Sequence, residues 1–252
     1  MHRLLAAFCL LSGVASTAEA GTFRQQQLAV PRVRDAVAAK AAVVRSLFVS
    51  KGLPYPPRGV FLRVFKLDRS FELWGQATDG TWRLVKEYAI CASSGELGPK
   101  RHEGDGQVPE GFYEIGVFNP HSEFHLSLGV SYPNASDRIR GRPGPLGGAI
   151  MIHGNCVTIG CVPITDTMID EVYIAAMDAR DAGQSTIEAH MFPARMDDAG
   201  WKRLVSSVGQ DDGRVEFWRE LKVGYDAFER THRLPKVRVA TDGRYVVTPR
   251  EK

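Results

Sequence analysis

Residues 31–49 place apolar Val33, Val37, Ala41, Val44 and Phe48 at spacings of four, four, three and four, the period of a single helix face. Pro31 at the start and Gly52 just past the end punctuate that helix. The period then drops to two. Val60, Leu62 and Val64 alternate, Asp68-Arg69-Ser70 separates them from Phe71-Glu72-Leu73-Trp74, and Asp79-Gly80 supplies a hairpin turn before Trp82-Arg83-Leu84-Val85. Further short strands are predicted over 112–118, 123–130, 149–152 and 186–192. From Thr165 onward Met168, Ile169, Val172, Tyr173 and Ala176 return to helical spacing, with Thr165 at the N-cap and Asp166 in the first turn. Beyond Pro193 the pattern predicts helices near 197–208 and 214–231, then a hairpin around Asp242-Gly243. The expected fold class is α+β. A mixed, sheet-rich core over 58–192 follows an N-terminal helical segment, 21–57, and residues 193–252 extend the same domain with helices.

Composition narrows the functional range. The 252 residues are 44% hydrophobic and 24% charged, proportions that exclude disorder, collagen and coiled coil. Lys and Arg total 32 against 29 Asp and Glu, a net charge of +3 with no run of five like charges. That balance argues against a nucleic-acid partner. At the N-terminus, Arg3, the apolar run Leu4–Leu11 and Ala18-Glu19-Ala20 come in the order of a secretory signal peptide. Residues 1–20 are therefore expected to be removed, leaving an exported, periplasmic chain that starts near Gly21. The apolar run is too short to span a bilayer, and no later stretch approaches about 18 uninterrupted apolar residues.

Export turns the cysteine count into a chemical hint. Loss of residues 1–20 removes Cys9 and leaves Cys91, Cys156 and Cys161, an odd number in an oxidising compartment. Cys156 either pairs with Cys91, which leaves Cys161 as the odd thiol, or bridges Cys161. The segment Ile152-His153-Gly154-Asn155-Cys156-Val157-Thr158-Ile159-Gly160-Cys161-Val162-Pro163 holds what a thiol nucleophile needs: a base to take its proton and N–H donors for the oxyanion. Gly154 and Gly160 let the loop fold back, so that the His153 imidazole reaches the Cys161 sulfur and lowers its pKa. His125, on an expected strand, reads as a packed or pocket-wall histidine. Arg138, Arg140 and Arg142, in the Gly/Pro/Arg-rich stretch 133–148, are candidates to hold a substrate carboxylate. Asn134-Ala135-Ser136 reads as a turn. A competing reading assembles zinc on His121, His125, His153, Cys156 and Cys161. A third is a wall-binding module without chemistry.

The strand–His-Gly…Gly-Cys pattern resembles the catalytic domain of the L,D-transpeptidases (YkuD-type), cysteine enzymes of peptidoglycan, and within them the YafK-like branch. The likeness runs through Phe124-His125-Leu126-Ser127, Tyr132-Pro133-Asn134-Ala135-Ser136-Asp137-Arg138, the His153–Cys161 segment and Met191-Phe192-Pro193-Ala194-Arg195-Met196. It continues through Phe217-Trp218 and Gly224-Tyr225-Asp226-Ala227-Phe228-Glu229. The resemblance implies Cys161 as nucleophile, His153 as its base, and the Gly160 and Cys161 N–H groups as part of the oxyanion hole, with no cofactor and no metal. It also implies peptidoglycan stem peptides as substrate and, in this branch, a wall-anchored lipoprotein as a partner. Thr158-Ile159 stands where the family commonly has Ser-His, and Pro163 where it has Arg. Transpeptidation to an amine and hydrolysis by water are both open.

Overall fold

A computed structural model of the chain describes residues 22–210 and 212–250; the predicted export segment, 1–20, lies outside the described residues. In chain order these residues form α1 (Phe23–Leu28), α2 (Pro31–Ser50), β1 (Val60–Phe65), β2 (Ser70–Gln76), β3 (Trp82–Ala89), β4 (Gly111–Asn119) and β5 (Ser127–Val130). Then come α3 (Ala135–Arg140), β6 (Met151–His153), β7 (Val162–Pro163), α4 (Asp166–Asp181), β8 (Glu188–Phe192), α5 (Asp198–Val208), α6 (Gly213–Thr231), β9 (Lys236–Val239) and β10 (Tyr245–Thr248). Eight strands make one sheet in the order β3-β2-β1-β8-β4-β5-β6-β7, and β9 and β10 form a separate hairpin. The sheet is mixed: β1 runs parallel to β8 and β6 parallel to β7, while its other neighbours are antiparallel.

Alternation along β1 explains why helices lie on both faces. Every β1 residue is buried. Val60, Leu62 and Val64 join the cluster that contains Ile169, Val172, Tyr173 and Ala176 of α4 and Val33, Val44 and Phe48 of α2. Phe61 and Phe65 point the other way, toward Phe228 and toward Trp218, Leu221 and Tyr225 of α6. The helical residues beyond Pro193 therefore cover a sheet face that would otherwise be exposed apolar surface. Arg63 shares that second face and is 1% exposed. Its guanidinium lies 2.7 Å from Glu229 and 3.5 Å from Glu72, and 4.8–5.7 Å from the ring centroids of Phe65, Trp74, Phe192, Tyr225 and Phe228. Among the described residues its Nη2 has no hydrogen-bond partner.

One short helix is added and three local expectations are revised. Six-residue α1 is set by a capping box between Thr22 and Gln25, too short to carry a hydrophobic period. The strand expected over 123–130 starts only at Ser127, because His125 adopts φ +67° and Arg32 gathers the carbonyls of Ser122 and His125 into a turn. Within the loop expected over 133–148, Asn134 caps α3 and receives the Asp137 N–H, so the residues read as a turn open a helix. Thr165 does occupy the position before α4, but with φ +67° and no side-chain cap bond.

Removing the Arg63 head and stem should cost about 3–5 kcal/mol, the usual result of breaking a buried ion pair from one side. Urea unfolding of Arg63→Ala measures this, and Arg63→Met, which restores the apolar stem among the rings, should recover much of the loss.

Candidate active site

The site is built where β6 and β7 meet at the edge of the sheet. Ile152 pairs with Val162 and His153 with Pro163 in parallel register. Parallel strands usually need a crossover of roughly a dozen residues or more; here residues 154–161 return the chain directly. Positive φ at Asn155 (+61°) and Gly160 (+125°) makes the reversal possible. Gly154 must also lack a side chain, since a Cβ there would stand 2.4 Å from Asp166 Oδ1, 2.9 Å from His125 Cβ and 3.0 Å from the Phe124 carbonyl oxygen.

Cys161 enters β7 beside Met151. The Met151 N–H donates to Cys161 Sγ at 3.4 Å, and the thiol faces the Ala149 carbonyl at 3.7 Å. His153 lies two residues further along β6 than Met151, one pleat repeat or roughly 7 Å, and pairs with Pro163, two residues beyond Cys161. Among the described residues neither bonds the other directly. The imidazole is 1% exposed and lies tilted against the ring of Phe124, centroids 4.9 Å apart. Its Nδ1 meets the Gly154 carbonyl oxygen at 2.5 Å. A carbonyl can only accept, so Nδ1 carries the proton and Nε2 keeps its lone pair. That is the tautomer of a base.

Electrostatics keep both partners neutral at rest. Burial lowers the His153 pKa, with the Gly154 bond opposing it. Burial likewise raises the Cys161 thiol pKa, against smaller lowering effects from the Met151 N–H and the Lys100 ammonium. The lowered thiol pKa expected from sequence is thus reversed, because desolvation of a thiolate outweighs these interactions.

The remaining sequence candidates divide. Cys91 and Cys156 are joined as a disulfide, and Cys161 is the free thiol among the described residues. Cys156 is therefore no thiolate ligand. Among the described residues no three His, Cys, Asp or Glu side chains converge as a metal site, so the zinc donor set does not assemble. His125 directs Nε2 to Asp170 of α4 at 2.7 Å. Arg140 is held bidentate by Glu220, both bonds 2.9 Å, and lies over Phe217. Arg138 is exposed in the last turn of α3. The Gly160 and Cys161 N–H groups are not open donors either. Both donate to Thr158 Oγ1, at 3.2 and 2.8 Å, while the Thr158 hydroxyl donates to the Cys161 carbonyl at 2.8 Å. Sequence reasoning missed this use of Thr158, the ring contact of Phe124 and the contact of Asp166 with the loop. Only Asp166 carried a signal, as an acid in the first turn of a helix.

The family described as L,D-transpeptidase catalytic domain (YkuD) matches residues 69–182. A protein of Escherichia coli (strain K12) named "Putative L,D-transpeptidase YafK" is 39% identical over 191 residues, 75% of this chain and 74% of its own. Its counterpart in Escherichia coli O157:H7 gives the same figures, 39% over 75% and 74%. Among solved structures, the helical cell shape determining protein Pgp2 from Campylobacter jejuni is 20% identical over 72% of this chain and 73% of its own, with a TM-score of 0.44.

Iodoacetamide should label Cys161 in the native protein, while Cys91 and Cys156 are recovered as one cross-linked peptide pair. Followed against pH, the labelling rate should rise in one step centred above the ordinary thiol range, since burial disfavours the thiolate. Peptide mapping by mass spectrometry reads both results. A plateau of fast labelling on the acid side of that range would reveal a resting thiolate–imidazolium pair.

Proposed function

The chain belongs to the L,D-transpeptidase catalytic-domain family, and from that premise we propose that it is an exported cysteine acyl-transfer enzyme acting on peptidoglycan stem peptides. The observation that carries this reading is the Nδ1–H to Gly154 carbonyl bond, which leaves His153 Nε2 as acceptor on the strand whose Met151 N–H holds the Cys161 sulfur. When substrate brings the two side chains together, Nε2 takes the thiol proton. The thiolate then attacks the carbonyl at the bond between an L-centre and a D-centre, and the carbonyl oxygen becomes an oxyanion. That oxyanion takes over the Gly160 and Cys161 N–H groups from Thr158 Oγ1, exchanging one acceptor for a more strongly charged one. As the tetrahedral species collapses, the imidazolium returns its proton to the departing amine of the D-residue. A Cys161 thioester remains.

An amine on a second stem peptide then restores a peptide bond, and water releases the acid. Attack on the link between wall peptide and an anchored lipoprotein follows the same steps. Neutral resting partners suit general-base catalysis, because the proton moves only when the reacting carbonyl is in place. A periplasmic location agrees with the signal-peptide pattern at residues 1–20 and with the Cys91–Cys156 disulfide. No described helix is long and apolar enough to cross a membrane.

Incubating purified cell walls with the protein and identifying the released or newly cross-linked muropeptides by mass spectrometry tests the reading. Cys161→Ser should abolish turnover, and an acyl adduct should be trapped on Cys161 in the native chain. His153→Ala should slow acylation by about 10²–10⁴, the usual cost of losing a general base. A chelator should leave turnover unchanged. Walls left untouched by folded protein with its disulfide intact and Cys161 as a free thiol would refute the assignment, and activity lost to chelation and restored by zinc would return the metal reading.

A further inference from the structure

One peptide group links His153 to a carboxylate. The amide between Gly154 and Asn155 accepts the His153 Nδ1–H on its carbonyl oxygen at 2.5 Å and donates its N–H to Asp166 Oδ1 at 2.7 Å. Its two poles are therefore clamped from opposite sides. A carboxylate drawing on the N–H increases the negative charge on the carbonyl oxygen, as in any chain of hydrogen bonds that polarise one another. The stronger acceptor favours the imidazolium that forms when Cys161 loses its proton.

We propose that Asp166 is the positioning residue for His153, acting through this single peptide group; the proposal rests on His153 serving as the base of Cys161. Three observations support a dedicated arrangement. Asp166 Oδ1 is pressed so close to Gly154 that a Cβ would stand 2.4 Å away, so carboxylate and glycine fit as a pair. The peptide is further restrained because Asn155, at φ +61°, accepts the Cys156 N–H on Oδ1 at 2.6 Å, and Cys156 is tied to Cys91. Asp166 also differs from an ordinary acid at a helix N-terminus, since its carboxylate reaches back to the loop. The other charged or titratable groups near the pair are Asp170 and His125, bonded to each other beside Asp166, and Lys100, whose charge acts on the thiol.

The test is the His153 titration, read by imidazole NMR in a Cys161→Ser background where no turnover is needed. Asp166→Asn keeps an oxygen that can accept from Asn155 but removes the charge. It should lower the His153 pKa while leaving the melting temperature unchanged, and Asp166→Glu should restore part of the shift. With Cys161 present, kcat should fall about 10- to 100-fold, the scale on which outer-shell partners of functional histidines act, with KM unchanged. In the unmodified chain the Asn155 amide resonance should move as His153 titrates, a measurement that stands even if a variant fails to fold. A His153 titration unmoved by Asp166→Asn, or an Asn155 amide that stays still, overturns the proposal. A shifted titration with inert cell walls would instead spare the coupling and remove the proposed substrate.

Discussion

The pairing of β6 with β7 is the constraint on which the site depends. Two strands of three and two residues run parallel, yet residues 154–161 are all that join them. So short a return leaves almost no choice of backbone path. It needs left-handed geometry at Asn155 and Gly160, a bare Cα at Gly154, and anchors that hold the loop down. Those anchors come from three directions: Cys91 through the disulfide, Asp166 from the start of α4, and Thr158 from within the loop. The places of His153, Cys161 and the Gly154–Asn155 peptide all follow from this one closure.

The rest of the fold gives that edge a rigid support. β5 pairs with β6 and places Ser127 opposite His153, while α4, buried over most of its length, carries both Asp166 and Asp170 to the same side. On the far face of the sheet α6 and the aromatic cluster around Arg63 fill the second layer. Arg63 is costly to bury, and the rings, Glu72 and Glu229 offset that cost by cation–π contact and ion pairing. His153 and Cys161 sit at the periphery of the sheet, whereas the interior holds its charge in a fixed network.

A half-buried thiol and a buried imidazole are each shifted by desolvation toward the neutral form. Preformed ion pairs require a charge that outweighs desolvation. Here Lys100 and the Met151 N–H draw the thiol pKa down, but burial wins. The Thr158 hydroxyl meanwhile accepts from the N–H groups of Gly160 and Cys161.

Hydrophobic periods in the sequence were enough to locate α2, β1, β2, β3, β4 and α4, because each buries one face or alternates across two. The cysteine count and the His-Gly…Gly-Cys spacing singled out His153 and Cys161 in the same way, since those residue types at that distance suit a thiol and its base. Periodicity is silent about short elements: α1 and α3 are held by capping boxes, and β7 by pairing alone. The local text misplaced His125 on a strand, although Arg32, far away in sequence, draws its carbonyl into a turn. Likewise nothing near Arg140 announces Glu220, eighty residues later, as the partner that takes its guanidinium. Sequence determined which groups are chemically able to act. Tertiary structure decided which of them remain available, because availability depends on partners and on burial, and both are set by contacts between distant segments.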